Sequence, residues 1–586
     1  MQKINNIKFS NFVKALLFLV IVFSIFVRFQ GLGYSNFQGD EVNPMDFLYE
    51  MKDGILPYLM SQKRGPVQYL VNMINVGVFG YHGEWQIRFP FFVFGTLALY
   101  TLFKLARRIF GDTSAFITVV FIAVNGLFIA FARITQYQSF MYFLIPVGVL
   151  LFIRALEKSD RKRLLYSGLI MSLAFLAHYD TLSVIPFFIA ALIGHYYRDA
   201  KGVLKNFFEK KRFVELIKHA LTFFGAFFIP ALAYYIPFYL NSSFEDSTSG
   251  YLTNRLFGGG FMPRTEITLK LITMYIPKFH IYILFVFAIL AILFLSSKVG
   301  GFTPINLKKI IPDKLLQKVF VISAVLIPAV SMFSLYPVKP RASTFFVILL
   351  SLCICIALIF SRRVDKYQAA VATWFLSAFS FYFFIMKDPR THVYVVFIPL
   401  FILAGYGFSK LYNSFKTDNL KNILLVAFIA MLFFVSGVNY VIFVNKSPEY
   451  PWWDKDFLGW HVYKIQRVRH KKIEGVFGFN NYRGWEQIKD LYDKGCLVGD
   501  FNSNEKNSIT YFYTRMDQKK GNLWELVKDS DNLILIHGPH SWEYTNIEER
   551  PDGYNLLKII YSENYPVSYI YGRNTLYPEG KLLCEN

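Results

Sequence analysis

The stretch FVKALLFLVIVFSIFV, residues 12–27, is followed closely by Phe37-Gln38-Gly39-Asp40-Glu41. An apolar run of this length crosses a hydrocarbon core of about 30 Å as a helix. No small-residue cleavage site follows it, so it is expected to remain as a membrane helix rather than leave as a signal peptide. Two adjacent carboxylates, preceded by a glycine, then stand where the chain emerges from the membrane.

Similar apolar runs recur outward from this one. Spans are expected near 12–29, 86–103, 114–131, 139–156, 164–180, 183–197, 219–240, 278–297, 317–336, 341–360, 367–386, 391–409 and 421–443. Composition agrees: 54% of the 586 residues are hydrophobic and 19% aromatic, with 64 Phe and 38 Tyr. That is far more aromatic than a soluble domain. The expected class is therefore an α-helical polytopic membrane protein.

The net charge of +22 does not point to nucleic acid, because the basic residues do not gather on one domain. They fall in short clusters between apolar runs. Arg107/Arg108, Arg161/Lys162/Arg163, Lys210/Lys211/Arg212, Lys308/Lys309 and Arg362/Arg363 all lie on one side if the N-terminus is inside. This is the charge bias that sets orientation in membranes. An odd number of spans then places everything from about residue 444 outside.

The expected domains are 1–443, a membrane unit with long outer loops at 30–85 and 241–278, and 444–586, a small α/β unit outside the membrane. Short interfacial helices are expected at Val42–Met51 and Val67–Val78, and a mobile loop around Gly258–Gly260. In the tail, 475–479, 497–501, 533–537 and 568–571 read as strands, and 484–494 as a helix ending at Gly495. The tail has no glycine-rich phosphate loop and no metal-ligand spacing. Cys353 and Cys355 sit in an apolar run and read as core residues. Cys496 and Cys584 can pair if the tail is outside.

Charge near a bilayer needs a partner or a task. Asp40-Glu41 suits a general base or metal ligand beside a membrane substrate; the plainer reading is that Asp40 caps the next helix. The same outer face holds Lys63-Arg64-Gly65-Pro66, then Glu84 to Pro90 with Arg88, then Ala132-Arg133 to Tyr137-Gln138. Later outer loops hold His178-Tyr179-Asp180, Lys339-Pro340-Arg341 and Lys387-Asp388-Pro389-Arg390. Taken singly, each cation reads equally well as a helix anchor. Taken together, cations converging on an acidic pair suit an anionic headgroup such as a lipid phosphate.

In this order the motifs resemble those of the GT-C fold glycosyltransferases. The nearest group is the protein O-mannosyltransferase superfamily, with the aminoarabinose transferase of lipid A in its bacterial branch. Asp40-Glu41, Lys63-Arg64-Gly65-Pro66, Glu84 to Pro90, Arg107 to Gly111, Arg133 to Tyr137 and Lys387 to Arg390 carry the resemblance. It is detailed over the first 160 residues and looser to about 440. It implies inverting transfer of a sugar from a polyprenyl-phosphate donor to a hydroxyl on lipid A, a glycan, a glycolipid or a protein. It also implies a multi-pass protein of the inner (plasma) membrane whose outer loops do the chemistry. Asp40 is the expected base, with Glu41 orienting the acceptor or tuning Asp40. Lys63, Arg64, Arg133, Arg341, Lys387 and Arg390 are expected to meet the donor phosphate. Glu84, Arg88, Tyr137 and Gln138 are expected to contact substrate. Relatives carry an acid, sometimes near a metal, where this chain has Gln138. No cofactor is therefore assigned, and a divalent metal stays an open alternative.

Two other readings compete. A lipid or sugar transporter would also need many spans and a basic headgroup site, but the spans hold almost no midplane charge, which ion-coupled pathways need. A scaffold would use Trp452, Trp453 and Trp460 as a partner surface; interfacial anchoring explains those rings as well.

Overall fold

The structure is a computed structural model. It describes residues 11–51, 54–62, 65–197, 210–240, 275–299, 340–386, 389–446, 477–519, 530–536 and 551–585, with short pieces between them. The expected span at 317–336, the glycines at 258–260, Trp452 and Trp453 and the side chain of Trp460 fall largely or wholly outside these residues.

Helices occupy the other twelve expected spans, from Asn11–Phe29 to Asp418–Phe443. Among the described residues, eight single helices are long and apolar enough to cross a membrane, and a bent pair makes a ninth. The chain is thus a multi-pass membrane protein of the expected helical class, with a small sheet unit at its C-terminal end. Its buried side chains form one large apolar core through the helices. Cys355 joins that core, whereas Cys353, on the same helix, faces outward. A helix turning a face to lipid has no reason to bury every apolar residue it carries.

One expected span is not straight. The run at 114–131 is two helices, Asp112–Ala123 and Gly126–Ala132, bent by 67°. The Asn125 side chain caps the second helix by accepting from Phe128 N (3.3 Å). Gly126 lies so close to the Tyr275 carbonyl that a Cβ would come within 1.8 Å of it. A break exposes carbonyls that hydrocarbon cannot satisfy. Here Asn439 Nδ2 donates to Val124 O (2.7 Å), Ser24 Oγ to Ala123 O (2.5 Å), and Arg28 to the carbonyls of Ala123 and Ile122 (3.1 and 3.4 Å). Arg28 is fully buried, so this guanidinium serves the broken helix rather than the interface.

Among the described residues, the tail forms a four-stranded sheet of β1 (Phe501–Ser503), β2 (Asn532–Ile536), β3 (Tyr554–Ser562) and β4 (Tyr565–Arg573). Their order is β1-β2-β4-β3, with β1 and β2 parallel and the other pairs antiparallel. The helix at Trp485–Asp493 ends just before Gly495, as the sequence suggests. The expected strand at 497–501 is displaced to β1, no strand lies at 477–479, and β3 was not anticipated. β3 is half-exposed and carries bulges, so its alternation is irregular. Cys496 and Cys584 are disulfide-bonded across 88 residues of chain. In the 30–85 segment, Val67–Phe79 is the expected helix, but 42–51 breaks into several short turns around Pro44.

Candidate active site

The turn that carries the acidic pair is a short helix, Gly39–Val42, whose N-cap is Gln38. Asp40 lies inside its first turn and is not the capping residue. Glu41 instead closes the cap, its Oε2 accepting from Gln38 N (3.1 Å). The two neighbouring carboxylates therefore have different surroundings. Glu41 is fully buried, while Asp40 is partly exposed.

Glu41 is held by a two-pronged ion pair. Arg88 Nε donates to Oε1 and Nη2 to Oε2, each at 2.8 Å. Thr135 N donates to the same Oε1 (3.1 Å), which ties the 133–137 segment to the Gly39–Val42 turn. Arg88 spends its remaining donors on the carbonyls of Leu32 and Ser35 (both 2.8 Å) and of Asn36 (3.4 Å). Glu41 thus faces an internal arginine, and the donors of Arg88 go to protein groups.

Arg133 is also held by protein groups. It follows the second half of the broken helix, and its guanidinium donates to the carbonyls of Val27 (2.6 Å), Gln30 (2.7 Å) and Gly478 (3.0 Å). Its donors thus clamp the first membrane helix to the tail instead of pointing to a phosphate. The cavity between Gln38, Arg88, Arg133 and Gly478 is about 10 Å³. That is room for about one water. A sugar phosphate does not fit there.

The tail forms one wall of the site. Arg483, buried and paired with Glu505 (2.6 Å), donates to the Phe37 carbonyl (2.5 Å). Phe37 N donates to the Tyr513 hydroxyl (2.7 Å), and that hydroxyl donates to Glu84 Oε1 (2.5 Å). Glu84 is therefore an internal bracket, not an open substrate contact. Lys506 brings its ammonium 3.0 Å from where a Cβ on Gly39 would lie, beside Asp40 in sequence. Sequence reading missed Arg483, Lys506 and Tyr513. They are ordinary tail residues until the fold places them against a loop more than 400 positions earlier.

Glu84 also faces Glu486. Burial, then repulsion from Glu84 and a hydrogen bond to it, push the Glu486 carboxyl up to about 7. A proton held by the folded chain and released by the unfolded one costs stability as the pH rises between those two values. Thermal stability should therefore fall as the pH is raised from the ordinary glutamate range towards about 7, then level off. Glu486→Gln should flatten that slope in a thermal melt across pH.

Amide side chains cluster nearby. Gln68 and Asn72 lie one turn apart on the same face of the 67–79 helix, and Asn72 Nδ2 donates to Thr135 Oγ1 (3.0 Å). Gln136 and Gln138 follow Thr135. All four are buried, and each leaves at least one polar atom without a protein partner. Buried polar atoms of this kind demand a ligand or water. Tyr137, between the two glutamines, is buried and stacks on His178, 3.9 Å between ring centres.

Arg390 is half-buried, with a positive φ of 41°. It begins the 390–393 turn that carries His392. Lys63, Arg64 and Lys387 lie outside the described residues, as does the side chain of Arg341. Among the described residues, one group offers metal-ligand atoms close together: His178, Asp180 and His392.

Residues 63–208 match the family model described as dolichyl-phosphate-mannose-protein mannosyltransferase. That quarter of the chain contains the 84–90, 107–111 and 133–137 motifs, and the match bears out the resemblance read from them. No curated protein matches the chain. Among solved structures, ArnT from Cupriavidus metallidurans in the apo state is similar at 12% identity and a TM-score of 0.44, covering 95% of this chain and 97% of that one. The apo oligosaccharyltransferase of Archaeoglobus fulgidus is similar at 11% identity and a TM-score of 0.43, covering 88% and 65%. Arabinofuranosyltransferase AftD from Mycobacteria is similar at 12% identity and a TM-score of 0.40, covering 96% and 40%.

Proposed function

We propose that this chain is a membrane glycosyltransferase that moves a sugar from a polyprenyl-phosphate donor to a hydroxyl acceptor on the outer face. The observation that carries the reading is the divided acidic pair. Glu41 is held in a buried ion pair that fixes the turn, and Asp40 stands at the partly exposed face of that turn. The family match over residues 63–208 supports the donor class. The amide atoms without a protein partner, Gln68 Nε2 and Oε1, Asn72 Oδ1, Gln136 Nε2 and Gln138 Oε1, supply the donors and acceptors that sugar hydroxyls need. The Cys496–Cys584 bond supports an oxidising, extracytoplasmic tail.

In this mechanism Asp40 takes the proton of the acceptor hydroxyl as its oxygen attacks the anomeric carbon from the face opposite the phosphate. The new C–O bond forms, the bond to phosphate oxygen breaks, and polyprenyl phosphate leaves with inversion. Its developing charge needs fixed cations. Arg390, Lys506 and the cations of the 63–64, 341 and 387 segments are the candidates.

The test is transfer by purified protein in lipid, with a panel of labelled undecaprenyl- and dolichyl-phosphate sugars and release of free carrier phosphate as the signal. Release with a matching acceptor supports the reading. Labelled lipid crossing a sealed bilayer unchanged, with no release, would replace it with transport.

A further inference from the structure

We propose that His178, Asp180 and His392 bind one divalent transition-metal ion, of which zinc is the best chemical match. The inference rests on these side chains alone and does not depend on the sugar-transfer reading.

All three residues are buried, with side chains 4%, 1% and 4% exposed. Their ligand atoms lie within 4.8 Å of one another. Asp180 Oδ2 sits 3.1 Å from His178 Nδ1 and 2.7 Å from His392 Nδ1. Around a tetrahedral ion with bonds of about 2.0–2.2 Å, ligand atoms stand roughly 3.3 Å apart. The two carboxylate-imidazole spacings are tighter than this, so the carboxylate has to move away from both rings to admit the ion.

Both imidazole nitrogens face one carboxylate oxygen, and an ion there takes the single in-plane lone pair of each, replacing the Asp180 N–H that lies 3.2 Å from His178 Nδ1. The buried carboxylate needs a positive partner, which the ion supplies.

The supporting residues are in place. The Tyr382 hydroxyl donates to Asp180 Oδ1 (3.0 Å), leaving Oδ2 to the imidazoles. Tyr137 stacks flat on the His178 ring, the planes 5° apart. Partners of this kind orient metal ligands and tune them. Two imidazoles with one carboxylate suit zinc-like ions better than magnesium or calcium, and three protein ligands leave a fourth position open. The ligands come from two separate turns, 178–184 and 390–393, so the ion would fasten the turn that carries Arg390 to the end of the 161–177 helix.

The experiment uses the full chain purified in detergent, stripped with a chelator, reloaded with Zn²⁺ or Co²⁺ and desalted. Elemental analysis should find about one zinc per chain, and the cobalt form should show the visible bands of a tetrahedral site. His392→Ala and Asp180→Asn should lower metal affinity by at least ~10-fold, and Tyr382→Phe, which removes only an orienting hydroxyl, by roughly the same factor. Should the ligand variants misfold, the cobalt spectrum of the wild type and the Tyr382→Phe affinity decide. Wild type holding fewer than about 0.1 equivalents, or a folded His392→Ala holding as much as wild type, would overturn the site and leave a hydrogen-bonded latch.

Discussion

Asp40→Asn is expected to lower sugar transfer by about 10²–10⁴-fold while leaving the melting temperature close to that of the wild type. The argument is one of position. Asp40 shares its short helix with Glu41, yet only Glu41 takes part in the internal ion pair. Asn keeps the size and the hydrogen-bonding reach of Asp but cannot accept a full proton from an attacking hydroxyl. Because Asp40 is not the helix cap, its loss does not remove a capping bond, and a substitution at a partly exposed site typically changes stability by about 0.5 kcal/mol or less. Carrier release and a thermal melt on the same preparation check both halves. Full activity in Asp40→Asn would remove Asp40 as the base. Lost activity with a collapsed melt would return it to a structural role.

The membrane architecture was legible because a bilayer leaves a chain few choices. Each crossing needs a long apolar helix, and twelve expected spans meet one. The break at Val124–Gly126 was harder to see. Its local signals, Asn125 and Gly126, are present in the sequence, but they sit within a nearly continuous apolar run. What makes the break tolerable is Asn439, Ser24 and Arg28, which reach its carbonyls from distant helices. No local pattern announces such partners.

The site divides along the same line. Asp40-Glu41, Glu84, Arg88, Arg133 and Tyr137 were recognisable as a set, and the structure pairs Glu41 with Arg88, bonds Glu84 to Tyr513 of the tail and holds Arg133 on backbone carbonyls. Their individual tasks were not recognisable. An arginine that binds phosphate and an arginine that clamps carbonyls look alike in sequence; only the Arg133 donor geometry separates them. The tail's contribution through Arg483 and Tyr513 depends wholly on tertiary docking.

The Glu41–Arg88 pair sets the second large expectation. Glu41→Gln or Arg88→Met should each destabilise the chain by about 3–5 kcal/mol, because each leaves a buried charge without its partner. Arg88→Lys should not rescue, since an ammonium cannot supply the two parallel bonds to the carboxylate and also reach the Leu32 and Ser35 carbonyls. The double change Glu41→Leu with Arg88→Met removes both charges and should recover part of the loss. Equilibrium unfolding in mixed micelles, run as a double-mutant cycle, reads these terms. Activity should follow stability across this series, in contrast to Asp40→Asn, where the two separate. A Glu41→Gln protein that melts like wild type but no longer transfers sugar would mean that Glu41 acts on the reaction itself. The division of labour between the two carboxylates would then have to be redrawn, with Arg88 tuning a reacting group rather than bracing a turn.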